Sequence, residues 1–239
     1  MSATRLAANP SKTKFVFFSG KAERSVRVGD VMIEESGEET LLGIVFNKRM
    51  TWRSHLETLK PELQKRIAIL RRLRMKLPTR AVCAMIEPLF TAKTRYALEL
   101  TVDAFEDHGR DTTLKALHQL HRSAMKAALG ISTRKHPSDA TLFRRTGQVS
   151  IYQVAKEATA CLAWKCGQDW EHHPLTGGRL ERHFSGRNTR QAARSFPPQS
   201  TRGSLISRLV EIWERFPEEI YKAEDFNQAK PKIKQWIKN

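Results

Sequence analysis

A chain of 239 residues with 40% hydrophobic content is long enough to bury one large core or two small ones. Its formal net charge of +17 and sequence pI near 10.2 favour a polyanionic partner, with nucleic acid the leading candidate. No run approaches the roughly 18 apolar residues of a membrane span, and the amino terminus lacks the hydrophobic core of a signal peptide. We therefore expect no membrane association and an intracellular location, nuclear or cytoplasmic.

Short β-type runs dominate the first fifty residues. Residues 14–18 (KFVFF) form one such run, and residues 25–33 alternate on either side of Gly29-Asp30, which predicts a tight hairpin. Residues 40–46 (TLLGIVF) are almost continuously apolar and predict a buried strand. The sequence therefore predicts a small β-hairpin or a three-stranded β layer.

Residues 53–77 carry the clearest helical pattern in the chain. Apolar residues recur three or four positions apart and predict one buried stripe, whereas cations cover the remaining surface and would attract anions. The predicted stripe consists of Leu56, Leu59, Leu63, Ile67, Leu70, Leu73 and Leu77. The predicted basic face consists of Lys65, Arg66, Arg71, Arg72, Arg74 and Lys76.

The ends of this helix are also marked in the sequence. Ser54 and Glu57 have the spacing of a capping box, which predicts the start, and Leu77 before Pro78 predicts the stop. Pro61 lies beyond the first turn, so it predicts either a bend or a later start at that residue.

The rest of the chain keeps helical spacing, apart from one stretch. Residues 174–203 are rich in Gly, Ser, Thr, Pro and Arg without periodicity, which predicts a flexible basic linker. The predicted helices cover residues 79–90, capped by Thr79 and kinked or ended by Pro88; residues 112–129, capped by Thr112 or Thr113 and closed by Gly130; residues 138–145, ended by Gly147; and residues 151–166, 204–216 and 226–237.

The order of these segments resembles the carboxyl-terminal part of reverse transcriptases from non-LTR (LINE-type) retrotransposons. The resemblance rests on NPSKTKFVFF, a short hairpin, LLGIVFNKRMTWRSHL, a long basic helix, LHQLHRSAMKAALGI, and a tail in which a tryptophan-containing helix precedes a proline and a last amphipathic helix. It implies a mainly α protein in four parts. These are a palm-end β segment (1–52), a helical thumb-like domain (53–173), the flexible linker (174–203) and a C-terminal helical tail (204–239).

The resemblance also implies roles for individual residues. Lys12, Thr13 and Lys14 match the lysine-containing strand that ends the palm, with Lys12 and Lys14 near the nucleic acid. Leu41, Leu42 and Gly43 match a strand in the region that supports the primer end, and Trp52 with His55 opens the thumb. The helix of residues 53–77 then follows the duplex backbone. Trp52 and His55 can equally be a packing pair at a strand-to-helix junction.

The sequence predicts no catalysis by this chain alone. Nucleotidyl transfer by two metal ions needs paired carboxylates to hold Mg²⁺, and the chain contains no Asp-Asp pair. By the resemblance, those aspartates and the Mg²⁺ ions belong to fingers and palm upstream of Lys12. The acidic pairs Glu106-Asp107 and Glu224-Asp225 are better explained as surface charge.

Other chemistry has weaker support in the sequence. Cys161, Cys166, His172 and His173 contain zinc-ligand residue types, but their spacing differs from the usual C-x2-C pairs, so buried thiols are favoured over a metal. Three cysteines without framework spacing also argue against structural disulfides. Gly177-Gly178 follows no apolar strand and predicts no phosphate-binding loop.

Two functions remain open on the sequence. One is a reverse-transcriptase fragment whose basic helix binds RNA or DNA largely without regard to sequence. The other is a basic helical adaptor that binds RNA or protein and is related to reverse transcriptases by ancestry only. Coding sequence upstream of Met1 for a palm with paired aspartates would separate the two.

Overall fold

A computed structural model of the chain describes residues 9–18, 25–49, 51–101, 112–168 and 205–238. Within these ranges the protein is mainly helical, with two β-hairpins before the helices and a helix at the end, as the sequence predicts. The chain divides into two compact units, Met1–Gln64 and Lys65–Asn239, and the division falls inside the first long helix. The predicted linker, residues 174–203, lies outside the described residues.

The first hairpin is the one predicted around Gly29-Asp30. Strand β1 (Ser25–Val28) pairs antiparallel with β2 (Val31–Glu34), and Val28 faces Val31 across the turn. Gly29 has a positive φ of 62° and Asp30 does not, which is the pattern of a type II′ turn. The prediction is confirmed, because glycine at the first turn position makes this conformation accessible.

The second hairpin contradicts the prediction of one buried strand over residues 40–46. Strand β3 (Glu38–Leu41) pairs antiparallel with β4 (Ile44–Asn47), and Leu42-Gly43 forms the turn between them. Both turn residues have positive φ, 52° and 79°, as a type I′ turn requires. The prediction was wrong because the length of the apolar run suits a single strand. Gly43, in the middle of the run, permits the chain to reverse direction there.

Residues 14–18 do not form the predicted strand. They are held beside residues 35–36 by a backbone bond from the Ser36 N–H to the Phe15 carbonyl at 2.9 Å. A second bond runs from the Phe17 N–H to Glu35 Oε1 at 3.3 Å. Because one of the two bonds uses a side chain, no ladder forms. The described β structure is therefore two separate two-stranded sheets rather than a three-stranded layer.

Helix α1 (Arg53–Arg74) corrects the predicted ends. It begins before Ser54, since the Leu56 N–H already donates to the Trp52 carbonyl at 2.9 Å, and Glu57 pairs with Arg53 at 3.0 Å instead of closing a capping box. The helix runs through Pro61, so it does not start there. The helix ends at Arg74, three residues before the predicted stop at Leu77, although the Leu77 N–H still donates to the Leu73 carbonyl at 2.8 Å.

The predicted apolar stripe of α1 is buried along its middle. Leu59, Leu63, Ile67 and Leu70 are all at most 9% exposed. Leu56 and Leu73 are half-buried, and Leu77 is exposed beyond the end of the helix. The 3.6-residue period therefore identified the inward face correctly.

Short helical segments follow α1. They are α2 (Thr79–Ala84), a π-helical turn (Glu87–Thr91), α3 (Ala92–Arg95) and α4 (Leu98–Thr101). Thr79 is the first helical residue of α2 rather than its cap, and Pro78 holds the cap position without a side-chain bond. Pro88 lies in the π-helical turn, so the predicted interruption is confirmed.

Three longer helices build the centre of the second unit: α5 (Thr112–Leu129), α6 (Asp139–Thr146) and α7 (Ile151–Gln168). Ser138 caps α6 by accepting the Thr141 N–H at 3.3 Å, and Gly147 ends it with a φ of 69°. These ends agree with the predicted ones within two residues. Thr112 and Thr113, the two predicted caps of α5, are the first residues of the helix as described, and residue 111 lies outside the described residues.

The carboxyl-terminal helices pack on the second half of α7. They are α8 (Leu205–Glu214), α9 (Glu218–Tyr221) and α10 (Phe226–Lys238). The Trp164 indole N–H donates to the Ile220 carbonyl at 3.1 Å, inside an aromatic and aliphatic cluster. A Cβ at Gly167 would lie 1.9 Å from the ring of Trp213, so the close approach of α7 and α8 requires glycine there.

Candidate nucleic-acid interface

The second half of α1 presents cations that no acidic neighbour in the sequence offsets. No aspartate or glutamate occurs between Glu62 and Glu87. The exposed cations of this stretch are Lys65, Arg71, Arg72, Lys76 and Arg80, and none of them forms an ion pair with a described residue. A surface of one sign, opposite a buried apolar stripe, would attract a polyanion.

Two of the predicted phosphate-binding arginines are partly engaged within the protein. Arg66 donates from Nη1 to the Leu89 carbonyl at 3.1 Å. The half-buried side chain of Arg74 lies against Gly130, and its Nε is buried without a hydrogen-bond partner among the described residues. Arg66 and Arg74 therefore contribute to packing, which makes Arg71 and Arg72 the sharper test of phosphate binding.

The predicted cations of the first unit are in a different setting. Lys14 pairs with Glu39 at 3.3 Å, so its charge is partly offset, and Lys12 ends an exposed 3₁₀ turn (Pro10–Lys12). Lys14 also lines an open cavity of about 580 Å³ together with Met32. Neither lysine lies on a strand.

The residues assigned to primer support occupy the tip and base of the second hairpin. Leu41, the last residue of β3, and Leu42, the first residue of the turn that Gly43 completes, are 63% and 79% exposed at the tip. At the base, the Trp52 ring packs edge-on against Phe46, with centroids 5.6 Å apart.

His55 belongs to the same base. It is 8% exposed, and its Nδ1 accepts the Val45 N–H at 3.5 Å. Together with the Trp52 contact, this bond fastens β4 to the first turn of α1. Trp52 and His55 therefore both take part in packing at this strand-to-helix junction, and their role in opening a thumb stays a prediction.

A histidine–carboxylate–arginine cluster joins α5 to α6 and was missed by sequence reasoning. His118 Nε2 lies 2.9 Å from Asp139 Oδ2, and Arg122 forms an ion pair with the same carboxylate. The residues are 21 positions apart at most, and no short motif marks them. Burial, followed by the charge of Arg122, lowers the pKa of His118.

This cluster lacks the access that a general base needs. His118 Nδ1, the ring atom turned away from Asp139, is buried and has no hydrogen-bond partner among the described residues. A base must reach the proton that it removes, directly or through one water. The cluster therefore has a structural role, in which Asp139 connects the side chains of α5 to the first turn of α6.

His121, one turn further along α5, is completely buried. Its ring stacks on Phe90 with centroids 5.4 Å apart, and neither ring nitrogen has a hydrogen-bond partner among the described residues. Burial, with a smaller contribution from His118, lowers the pKa of His121 to about 4. The imidazole is therefore neutral near pH 7 and acts as part of the core.

The acidic and thiol groups of the described ranges give no metal centre. No cluster of three His, Cys, Asp or Glu side chains there could hold an ion. Burial raises the pKa of Cys161 and of Cys166 to about 11 each, so both are protonated thiols near pH 7. His172, His173 and the pair Glu106-Asp107 lie outside the described residues.

Asp225 of the second acidic pair has a structural role. Its Oδ1 accepts the Gln228 N–H at 2.8 Å in the first turn of α10, which is the geometry of an N-cap.

The helices of the described ranges include none that is long and apolar enough to cross a bilayer.

Comparisons of this chain with protein-family models, with curated proteins and with solved structures gave no match.

Proposed function

We propose that this chain is the carboxyl-terminal part of a non-LTR retrotransposon reverse transcriptase, and that α1 binds the backbone of a primer–template duplex. The observation that carries the proposal is the set of exposed cations on α1 and at its end, which form no ion pair with a described residue and lie opposite the buried apolar stripe. The order of segments supports the family. In this proposal Mg²⁺ and the paired aspartates belong to an upstream palm.

The basic face of α1 suits phosphates and lacks the side chains that pair with adenine edges. Residues 65–80 contain no Asn or Gln, the side chains that pair with adenine edges. Lys and Arg on one helical face instead neutralise phosphates and release counterions. Binding through such a face is largely independent of sequence, which fits RNA and DNA alike.

A simpler role explains part of the basic face. The last turn of α1 contains Arg71, Arg72 and Arg74. The interaction of a cation with the helix dipole at this end stabilises a helix by roughly 0.3–1 kcal/mol per cation. Lys65, more than a turn before them, and Arg80, on the next helix, gain nothing from that dipole. The helix-dipole role therefore leaves the extent of the basic face unexplained.

Salt dependence of binding tests the proposal. We expect duplex affinity to fall steeply with salt, and the double variant Arg71→Gln/Arg72→Gln to lower the slope of log K against log salt by roughly 1.8, at about 0.9 per phosphate contact on B-form DNA. The measurement is fluorescence anisotropy with duplexes of two unrelated sequences.

The matched control removes the same charge from the tail. Arg215 and Lys222 each have an acidic partner one helical turn away, so Arg215→Gln/Lys222→Gln should leave the slope close to that of the parent. Equal slopes for the two double variants would refute binding through α1. The adaptor function would then lead.

A further inference from the structure

We propose that residues 132–136, the turn after α5, form a second phosphate-contacting element beside the end of α1. The inference rests on the proposed function and extends it to a part of the chain for which the sequence predicts no role. The partner class is the same, the backbone of a nucleic acid.

The turn begins from a fixed helix end. The Gly130 N–H donates to the Ala127 carbonyl at 3.2 Å, and the Ile131 N–H donates to the Lys126 carbonyl at 2.9 Å. These are the two bonds of a Schellman motif, with Gly130 at a φ of 67°. The direction in which the chain leaves α5 is therefore set by backbone bonds.

Two cations of α5 then hold the turn at both ends. Lys126 Nζ donates to the Thr133 carbonyl at 2.7 Å, and Arg122 Nη2 donates to the Pro137 carbonyl at 2.9 Å. Arg122 also pairs with Asp139. The cations of α5 that face the turn are thus engaged in positioning it.

The cations within the turn remain open to solvent. The Arg134 N–H donates to Ser132 Oγ at 3.3 Å, and the Lys135 N–H donates to the Ser132 carbonyl at 3.1 Å. The side chains of Arg134, Lys135 and His136 are exposed and form no ion pair with any described residue. The nearest acid after the turn in the sequence, Asp139, is engaged by His118 and Arg122.

The glycine that precedes the turn lies next to the last turn of α1. A Cβ at Gly130 would be 3.6 Å from Arg74 Nε and 3.8 Å from its Cγ, so the last turn of α1 rests on the start of the turn. The turn therefore begins beside the end of α1.

The composition of the turn favours nucleic acid over a lipid surface. Residues 132–136 (STRKH) contain no large apolar side chain, whereas binding at a bilayer interface draws on buried apolar area as well as charge. Arg134 and Lys135 can contact phosphates without the insertion of an apolar side chain into the binding partner.

Removing the two cations of the turn tests the inference. We expect Arg134→Gln/Lys135→Gln to lower the salt slope of duplex binding by roughly 1.8, the value for two lost phosphate contacts. The tail variant Arg215→Gln/Lys222→Gln, with the same change in net charge, is the control. Circular dichroism and thermal unfolding of the full chain would establish that each variant folds.

The outcomes separate this inference from the proposed function. If Arg71→Gln/Arg72→Gln lowers the slope and Arg134→Gln/Lys135→Gln leaves it unchanged, the turn has no part in binding and the proposed function stands. If the turn variant alone lowers the slope, the inference holds while binding through α1 is refuted. If neither does, both are refuted.

A second variant and a second ligand sharpen the result. Lys126→Met removes the bond to the Thr133 carbonyl and leaves Arg134 and Lys135 in place, so affinity should fall with little change of slope. Vesicles containing phosphatidylserine provide the lipid comparison. Loss of vesicle binding by the turn variant, with duplex binding unaltered, would overturn the inference in favour of a membrane partner.

Discussion

The two ends of the second unit use their charges in opposite ways. In the carboxyl-terminal tail, α8 to α10, the cations lie among acids in the sequence and several are engaged: Arg215 pairs with Glu211, Lys222 with Glu218 and Lys234 with Glu157. Lys230 instead lies over the Phe226 ring. On the second half of α1, the exposed cations have no acidic partner among the described residues.

This difference shows that net charge alone does not locate a binding surface. Lys and Arg are spread along the whole chain, yet paired cations on a helix contribute only a few tenths of a kcal/mol and leave little field beyond the surface. Unpaired cations of one sign keep their field. The contrast therefore predicts which substitutions change folding, which change binding, and which change neither.

The largest expected effect is on folding and comes from the buried side of α1. Leu70 is 0% exposed, so Leu70→Ala should reduce the free energy of unfolding by roughly 2–5 kcal/mol through lost burial and the cavity left behind. Ile69, its neighbour, is 42% exposed and provides the matched control, for which Ile69→Ala should cost under about 1 kcal/mol. Urea unfolding measures both.

The salt slope of duplex binding should stay the same in both α1 core variants at temperatures where they fold. A change in the salt slope with Leu70→Ala would show that duplex binding and folding are not separable on this helix. A small loss of stability for Leu70→Ala would instead contradict its place in the core.

Acid should lower the stability of the second unit through the buried histidine His121 of α5. The tail contains no histidine and should not contribute to this effect. The pKa of His121 falls from the ordinary 6.5 to about 4 on folding, so the unfolded chain binds more protons between these values. The contribution of neutral His121 to the free energy of unfolding is complete above pH 6.5. It is lost as the pH falls towards 4, and the total loss is about 3 kcal/mol. The lowered pKa of His118 acts in the same direction.

Unfolding free energies at pH 7 and pH 4.5 measure this effect. His121→Leu, which keeps an apolar side chain in the site, should reduce the difference between the two pH values, and the part due to His118 should remain. An unchanged pH dependence in His121→Leu would show that other groups control acid stability.

The packing of the tail on α7 should be sensitive to a glycine-to-alanine substitution that is better tolerated at another glycine. A Cβ at Gly167 would lie 1.9 Å from the Trp213 ring, so Gly167→Ala should cost roughly 1–3 kcal/mol or more through displacement of α8. Gly147→Ala is the control, because no atom lies within 4 Å of its added Cβ and only the positive φ of 69° opposes it. We expect a cost near 1 kcal/mol there.

Thermal unfolding with tryptophan fluorescence compares these two glycine variants. Trp213 reports directly on the region that Gly167→Ala disturbs. If Gly147→Ala proved the more destabilising variant, the close packing of α7 and α8 would not limit stability.

The fold was largely predictable where one local pattern decides the structure. Period alone identified the buried side of α1, and Gly29-Asp30 identified the first hairpin. The run over residues 40–46 failed because an apolar stretch with a central glycine fits either a strand or a hairpin, and Leu42 adopts a positive φ that its residue type disfavours. The capping box failed because α1 begins before Ser54.

The candidate site was less predictable, because its arrangement depends on contacts between distant residues. The basic face of α1 is visible in the sequence. The engagement of Arg66 with the Leu89 carbonyl is not, since that bond spans 23 positions. The positioning of residues 132–136 by Lys126 and Arg122 was also missed, although the absence of acids from residue 112 to residue 138 was a readable signal.

The smallest expected change in stability contrasts single arginines of the two regions. Arg215→Gln breaks an exposed i,i+4 ion pair with Glu211 and should cost at most about 0.5 kcal/mol. Arg71→Gln removes a cation that has no acidic partner among the described residues and lies near other cations, so relief of repulsion offsets the lost helix-dipole interaction. Both variants should therefore unfold close to the parent, and their binding should differ: Arg71→Gln lowers the salt slope by roughly 0.9, whereas Arg215→Gln leaves it unchanged. Chemical denaturation and anisotropy titrations on the same preparations test this, and a slope that falls equally in both would mean that the duplex responds to total charge rather than to the unpaired cations of α1.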